Sequence, residues 1–141
     1  MNAARAYLCG LGLMAVAACE PVPTTGPIAG IPSYLTEYSD ALSLARIFDA
    51  RCSRLSLSET EMTRVKYETY ARLRTEPDAS TILSKLERQA DDPTMAARME
   101  AQYQAYLSGL GIEESNGQAF CAAGEQEIAK GSLVGRMLVR G

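Results

Sequence analysis

The stretch CAAGEQEIAKGSLVGRML, residues 121–138, decides what kind of fold this chain adopts. Cys121, Gly124, Ile128, Gly131, Gly135 and Leu138 recur at alternating threes and fours, the spacing of one face of an α-helix. Each interior glycine costs a helix about 1 kcal/mol relative to alanine, so three on one face need a reason. Close approach of another backbone supplies one, and predicts a small-residue seam of Gly124, Gly131 and Gly135. A second reading ends the helix near Lys130, with Gly131 as its cap and a new helix from Ser132. Both make the segment helical. Glu125, Glu127, Lys130 and Arg136 are too many charges for a membrane dimerisation motif.

Working back from this stretch, the same period recurs. Leu35, Tyr38, Leu42, Ala45, Phe48 and Cys52 form one face of a helix from about 34 to 54. Ser58 and Glu61 have the spacing of a capping box, opening a helix over about 59–74 with Met62, Val65, Thr69 and Leu73 inward. After the break at TEPDAS, Asp78 is placed to cap a short helix carrying Ile82, Leu86 and Ala90. Asp92 then precedes Pro93, which suits a first helical position because its missing donor has no partner there. Met95, Met99, Tyr103, Tyr106 and Leu110 follow as a stripe, and Gly109 and Gly111 supply stopping points. The expected fold is all-α, a small bundle of four to six helices over residues 33–141. Tyrosines at helical spacing read as half-buried core before they read as a stacking surface for sugars.

The other end of the chain has a different character. Arg5 is followed by a nearly unbroken run of apolar and small residues from Ala6 to Ala18, ending at Cys19 and Glu20. Its length is short of the roughly 20 apolar residues of a membrane span and fits an export signal. AVA at 15–17 satisfies the small-x-small rule of ordinary signal cleavage, whereas VAAC at 16–19 resembles the lipoprotein signal-peptide box. That resemblance implies a signal peptide over 1–18 and lipid on Cys19, hence a membrane anchor facing the periplasm of a bacterial envelope. Glu20 is not the aspartate that favours inner-membrane retention in similar lipoproteins, which leans the expectation to the outer membrane. Residues 19–32, with Pro21, Pro23, Pro27 and Pro32, read as the lipidated cysteine and a proline-rich tether.

Cysteine arithmetic agrees with this division. Cys9 leaves with the signal, and lipid on Cys19 leaves Cys52 and Cys121 as an even pair in an oxidising compartment. Both lie on apolar stripes, so the expected bond is a structural disulfide pinning the first helix to the last, with two buried free thiols as the alternative. A redox site would bring its cysteines together in a Cys-x-x-Cys turn, and none occurs.

CAAGEQEIAKGSLVGRML at 121–138 and, more loosely, ARCSRLSLSETEM at 50–62 resemble a family of small exported, mainly alphaproteobacterial proteins of uncharacterised function. The likeness covers the two cysteines and about half of the mature chain, and it implies no activity.

Chemistry-bearing motifs are few. The chain has no histidine, which excludes Ser-His and Cys-His nucleophile pairs and histidine-bearing zinc sites. Neither a Ser-x-x-Lys nor a glycine-rich phosphate loop occurs. Three acidic pairs, Glu113 with Glu114, Glu125 with Glu127 and Asp91 with Asp92, are the residues a carboxylate-based hydrolase would need, but solvated faces and caps also explain them. Losing Arg5 with the signal leaves 13 basic against 17 acidic side chains, a net of −4 that argues against nucleic-acid binding. The expected function is a non-catalytic, cofactor-free interaction module of the envelope with a protein partner. A small cell-wall hydrolase, or a carrier of peptide or lipid, is the alternative.

Overall fold

The computed structural model describes residues 27–141. The expected signal over 1–18, the expected lipidation site Cys19 and the expected tether as far as Gly26 lie outside the described residues. The described chain is helical, with helices α1 (Ser33–Arg51), α2 (Glu59–Leu73), α3 (Ala79–Ala90), α4 (Thr94–Leu110), α5 (Gly117–Lys130) and α6 (Leu133–Arg136). Two short strands join them, β1 (Leu55–Leu57) and β2 (Leu138–Arg140), paired antiparallel with Ser56 opposite Val139. None of the described helices is long and apolar enough to cross a membrane.

Helix α1 is the axis of the molecule, touching α2, α4, α5, α6 and β1. Its inward face brings Ala41, Ala45 and Phe48 into the main core, closed by Leu55, Val65, Tyr103, Leu107, Phe120, Met137 and Leu138. Phe48 stacks on Phe120 with ring centroids 4.3 Å apart and meets the edge of Tyr106 at 6.0 Å. Aromatic contacts of this geometry add to the burial of the rings themselves. The chain leaves α1 at Cys52, which caps the helix and bonds to Cys121 on α5, closing a sequence separation of 69 residues.

A second, smaller core lies where the chain enters the domain. Ile31, Leu35, Leu73 and Ile82 are buried together, with Ile28, Tyr34 and Leu86 packed against them. The stretch from Ile28 to Pro32 is thus fixed to the domain, and the packed chain begins ahead of the expected boundary at Ser33. Ile28 and Ile31, either side of a turn at Ala29–Gly30, are the apolar anchors that fix this proline-flanked stretch.

The helix boundaries show which sequence signals govern local structure. Ser58 Oγ accepts from the Glu61 amide at 3.3 Å, but the return half of the capping box is not made. The Ser58 amide instead donates to the Met137 carbonyl at 2.9 Å, extending the strand ladder, while the Glu61 carboxylate pairs with Arg64. Asp92 caps α4 by accepting from the Thr94 amide (2.8 Å) and hydroxyl (2.7 Å). Asp78 stands at the start of α3 without a side-chain cap bond. Asn116 caps α5, accepting from the Ala119 amide at 3.0 Å.

The glycine seam is corrected at one of its three positions. The helix is not continuous through Gly131, which sits at φ +63° as the left-handed end of α5. Its amide donates to the Ile128 carbonyl, and the next amide, of Ser132, reaches back to Glu127, closing the carbonyls that a helix end leaves open. Ser132 Oγ then accepts from the Gly135 amide at 3.0 Å and starts α6. Nothing lies within contact of a Cβ on Gly131, so its glycine serves a turn and not a close approach. Gly124 and Gly135 do face neighbours at short range: Gly124 lies under Phe48 and Leu55, and Gly135 under the α5 backbone at Glu127 and Ile128. The strands at either end of this arrangement carry no periodic signal, being three residues each.

Candidate functional site

Helix α1 meets α4 across an open groove of about 330 Å³. Leu44 and Ile47 on α1 form one wall, with Ala41 and Ser43; Met99, Gln102, Ala105 and Tyr106 on α4 form the other. The periodicity that builds the core builds this groove as well. Residues 40, 44 and 47 lie one helical turn apart on a stripe beside the core-facing one, so α1 is apolar over more of its circumference than a single inward face requires. Tyr103 closes the floor, buried to 4 % exposure. Met99 stands at the lip and remains 41 % exposed, an apolar side chain with no covering element.

Besides Ser43 and Gln102 on its walls, the groove carries polar groups toward its ends. Asp40 lies at one end, with the Arg98 guanidinium 3.7 Å away on the side facing the bundle; Arg98 itself is only 8 % exposed. Burial pushes the Asp40 carboxyl above its usual range, and the hydrogen bond from Gln102 and the Arg98 charge offset this only in part, with Glu37 adding to the rise. At the other end Tyr106 donates to Glu127 at 3.1 Å, and burial together with that carboxylate raises the phenol well above its ordinary value. Beyond it Arg51 donates to the Tyr103 hydroxyl, lies 4.9 Å from that ring's centre and pairs with Glu114 at 3.5 Å.

The acids singled out in the sequence do not converge. Glu114 pairs with Arg51 and accepts from Gln104, Glu125 pairs with Arg54 at 3.7 Å, Glu127 holds Tyr106, and Asp92 caps α4. Each of these four has a separate structural partner. Among the described residues no cluster of histidine, cysteine, aspartate or glutamate has the arrangement of a metal site. Of the α4 stripe, Tyr103 is buried and Tyr106 half-buried, whereas Met99 and Leu110 are exposed and Leu107 takes the core position instead. Cys52 and Cys121 are brought together as expected.

A family model described as a family of unknown function, DUF5333, matches residues 41–139, from the third turn of α1 to the last strand. The chain belongs to that family. The DUF5333 span holds both half-cystines, Gly124 and Gly135, and every groove residue except Asp40, which lies one position outside it. No curated protein and no solved structure matches the chain.

The residues that sequence reasoning passed over are Asp40, Leu44, Ile47 and Gln102. A usable signal was present. Leu44 and Ile47 are large apolar residues off the stripe assigned to the core, and such residues on a helix with one core-facing side mark a second buried or partner-facing side.

Proposed function

We propose that this protein is a non-catalytic interaction module of the bacterial envelope, lipid-anchored through Cys19, facing the periplasm, and docking a protein partner in the α1–α4 groove. The observation that carries the reading is the groove itself: an open, mainly apolar trough with Met99 exposed at its lip and Asp40 as the one carboxylate on its lining. Grooves of this kind between two helices accept the apolar face of a third, and methionine, being unbranched and polarisable, fits such adaptable surfaces. The anchor and compartment rest on the VAAC box at 16–19 and on the cysteine count. The outer membrane is favoured over the inner by Glu20.

A photo-crosslinking amino acid at Met99, with a control at Tyr67 on the exposed face of α2, tests the reading in intact envelopes. One protein captured from position 99 and not from 67 is the expected result. Equal capture from both positions, or none from 99, overturns the docking groove. The anchor is tested separately by Cys19→Ser, which is expected to move the protein from the membrane to the soluble fraction; unchanged retention overturns it.

A further inference from the structure

The chemistry of the groove specifies its occupant more narrowly than apolarity does. From Asp40 to Ile47 the α1 wall runs seven residues, two helical turns, or about 10 Å. Over that length the wall offers Leu44 and Ile47 one turn apart, faced by Met99, Ala105 and Tyr106, and then a single carboxylate. We propose that the groove takes a helical segment of a partner protein carrying two apolar side chains one turn apart and a lysine or arginine one turn beyond them, its cationic head meeting Asp40. The inference rests on the docking reading above and adds the partner's charge pattern to it.

Charge complementarity carries the argument. Asp40 is the one carboxylate lining the groove, and Glu37, exposed one turn earlier on α1, adds a second negative charge at that end. The Arg98 guanidinium lies 3.7 Å from Asp40, outside the usual hydrogen-bond range, and Gln102 donates to the same carboxylate from the α4 wall; the Asp40 side chain still keeps 24 % of its surface exposed, where a second cation can reach it beside the Gln102 amide. The upward displacement of the Asp40 carboxyl agrees: present partners do not fully offset its burial, so an arriving ammonium or guanidinium gains from a carboxylate that is under-compensated. The opposite end offers no equivalent. There Glu127 is occupied by Tyr106, and Arg51 is held by Tyr103 and Glu114. An acidic side chain on the partner would meet Asp40 and Glu37 and be rejected, which sets the register and direction of the segment as well as its composition.

The test is a selection from a library of random helical peptides on the full-length protein in mild detergent, with counter-selection on Met99→Glu/Ala105→Glu. Both substituted residues are exposed, so the double variant keeps its fold while filling the groove with charge. Peptides that survive are expected to share the apolar pair and a basic residue one turn away. Replacing that basic residue with norleucine is expected to weaken binding to the wild-type protein by about tenfold, and by less than about twofold to Asp40→Asn. The norleucine exchange is read on the wild-type protein, so it decides the matter even where Asp40→Asn, by removing the charge beside Arg98, lowers stability. Groove-dependent peptides without the basic residue, or with one whose removal changes nothing, overturn the inference and leave the docking reading standing. Peptides that all bind the double variant equally overturn the docking reading itself.

Discussion

Gly135 sits beneath the carbonyl of Glu127, so closely that a side chain on residue 135 would coincide with the α5 backbone. The same carbonyl accepts the Ser132 amide, and Ser132 Oγ lies 3.4 Å from it. One oxygen thus organises the whole corner between α5 and α6. Because backbone stands opposite Gly135, no rotamer change relieves the crowding. At Gly124 the neighbours are the Phe48 ring, 2.8 Å from the site of a Cβ, and the end of Leu55, which yield at the cost of core packing. At Gly131 there is open space and only the left-handed backbone resists substitution, by about 1–2 kcal/mol. Alanine scanning of the three by urea denaturation is expected to rank the losses Gly135, then Gly124, then Gly131. A largest loss at Gly131 would restore a continuous helix through that position.

The Cys52–Cys121 bond closes 69 residues and joins the end of α1 to the start of α5. The chain-entropy model assigns such a closure about 4 kcal/mol, a large share of the roughly 5–15 kcal/mol that holds a small domain folded. Reduction, or the Cys52→Ala/Cys121→Ala exchange, is therefore expected to lower the urea midpoint sharply while leaving the far-ultraviolet signal of the helices at low denaturant. Equal midpoints with and without reductant would show that the bond carries none of the stability.

Much of this architecture is legible from residue spacing, and the misses share a cause. Leu35, Ala45, Phe48, Val65, Leu73 and Ile82 fall on the stripes that periodicity assigns them and are buried. Asp92 and Ser58 cap helices because a short oxygen-bearing side chain meets a free amide there whatever the rest of the fold does. What spacing does not reveal is where distant segments meet. The β1–β2 ladder pairs residues some 80 positions apart, and it diverts the Ser58 amide from the capping box to Met137. The groove has the same origin: α4 crosses α1 so that Leu107 reaches the core and Met99 does not, a choice the repeat of threes and fours on α4 leaves open.

The α4 cap gives the protein an acid-side signature. The two hydrogen bonds from Thr94 hold the Asp92 carboxyl below the ordinary carboxylate range. A folded pKa lower than the unfolded one contributes stability above the unfolded value, near 3.8, that is lost as pH falls through the folded one. Hydrogen exchange at the Thr94 amide is expected to quicken as pH falls below about 4, once the intrinsic pH dependence of exchange is removed. Asp92→Asn, which keeps an acceptor without the charge, is expected to flatten that response. An unchanged acid profile in the variant would assign the effect to another carboxylate.

The groove's far end gives an alkaline counterpart. Tyr106 is half-buried against Phe48 and donates to Glu127, so ionising it in the folded protein would bury a phenolate beside a carboxylate. Its folded pKa is raised above the unfolded value of about 10, and the sign follows: above pH 10 the unfolded chain releases this proton while the folded chain retains it. Stability therefore declines as pH rises from about 10, and the decline continues until the folded phenol also ionises. Tyr106→Phe removes the titrating group and the hydrogen bond together. It is expected to cost about 1 kcal/mol at neutral pH, where the bond is intact, and to lose less than the wild type between pH 9 and 11. Thermal melts of both proteins across that interval check the crossing. Parallel curves would mean that Tyr106 ionises as freely in the fold as outside it, and that the α4–α5 contact at Glu127 is open to water.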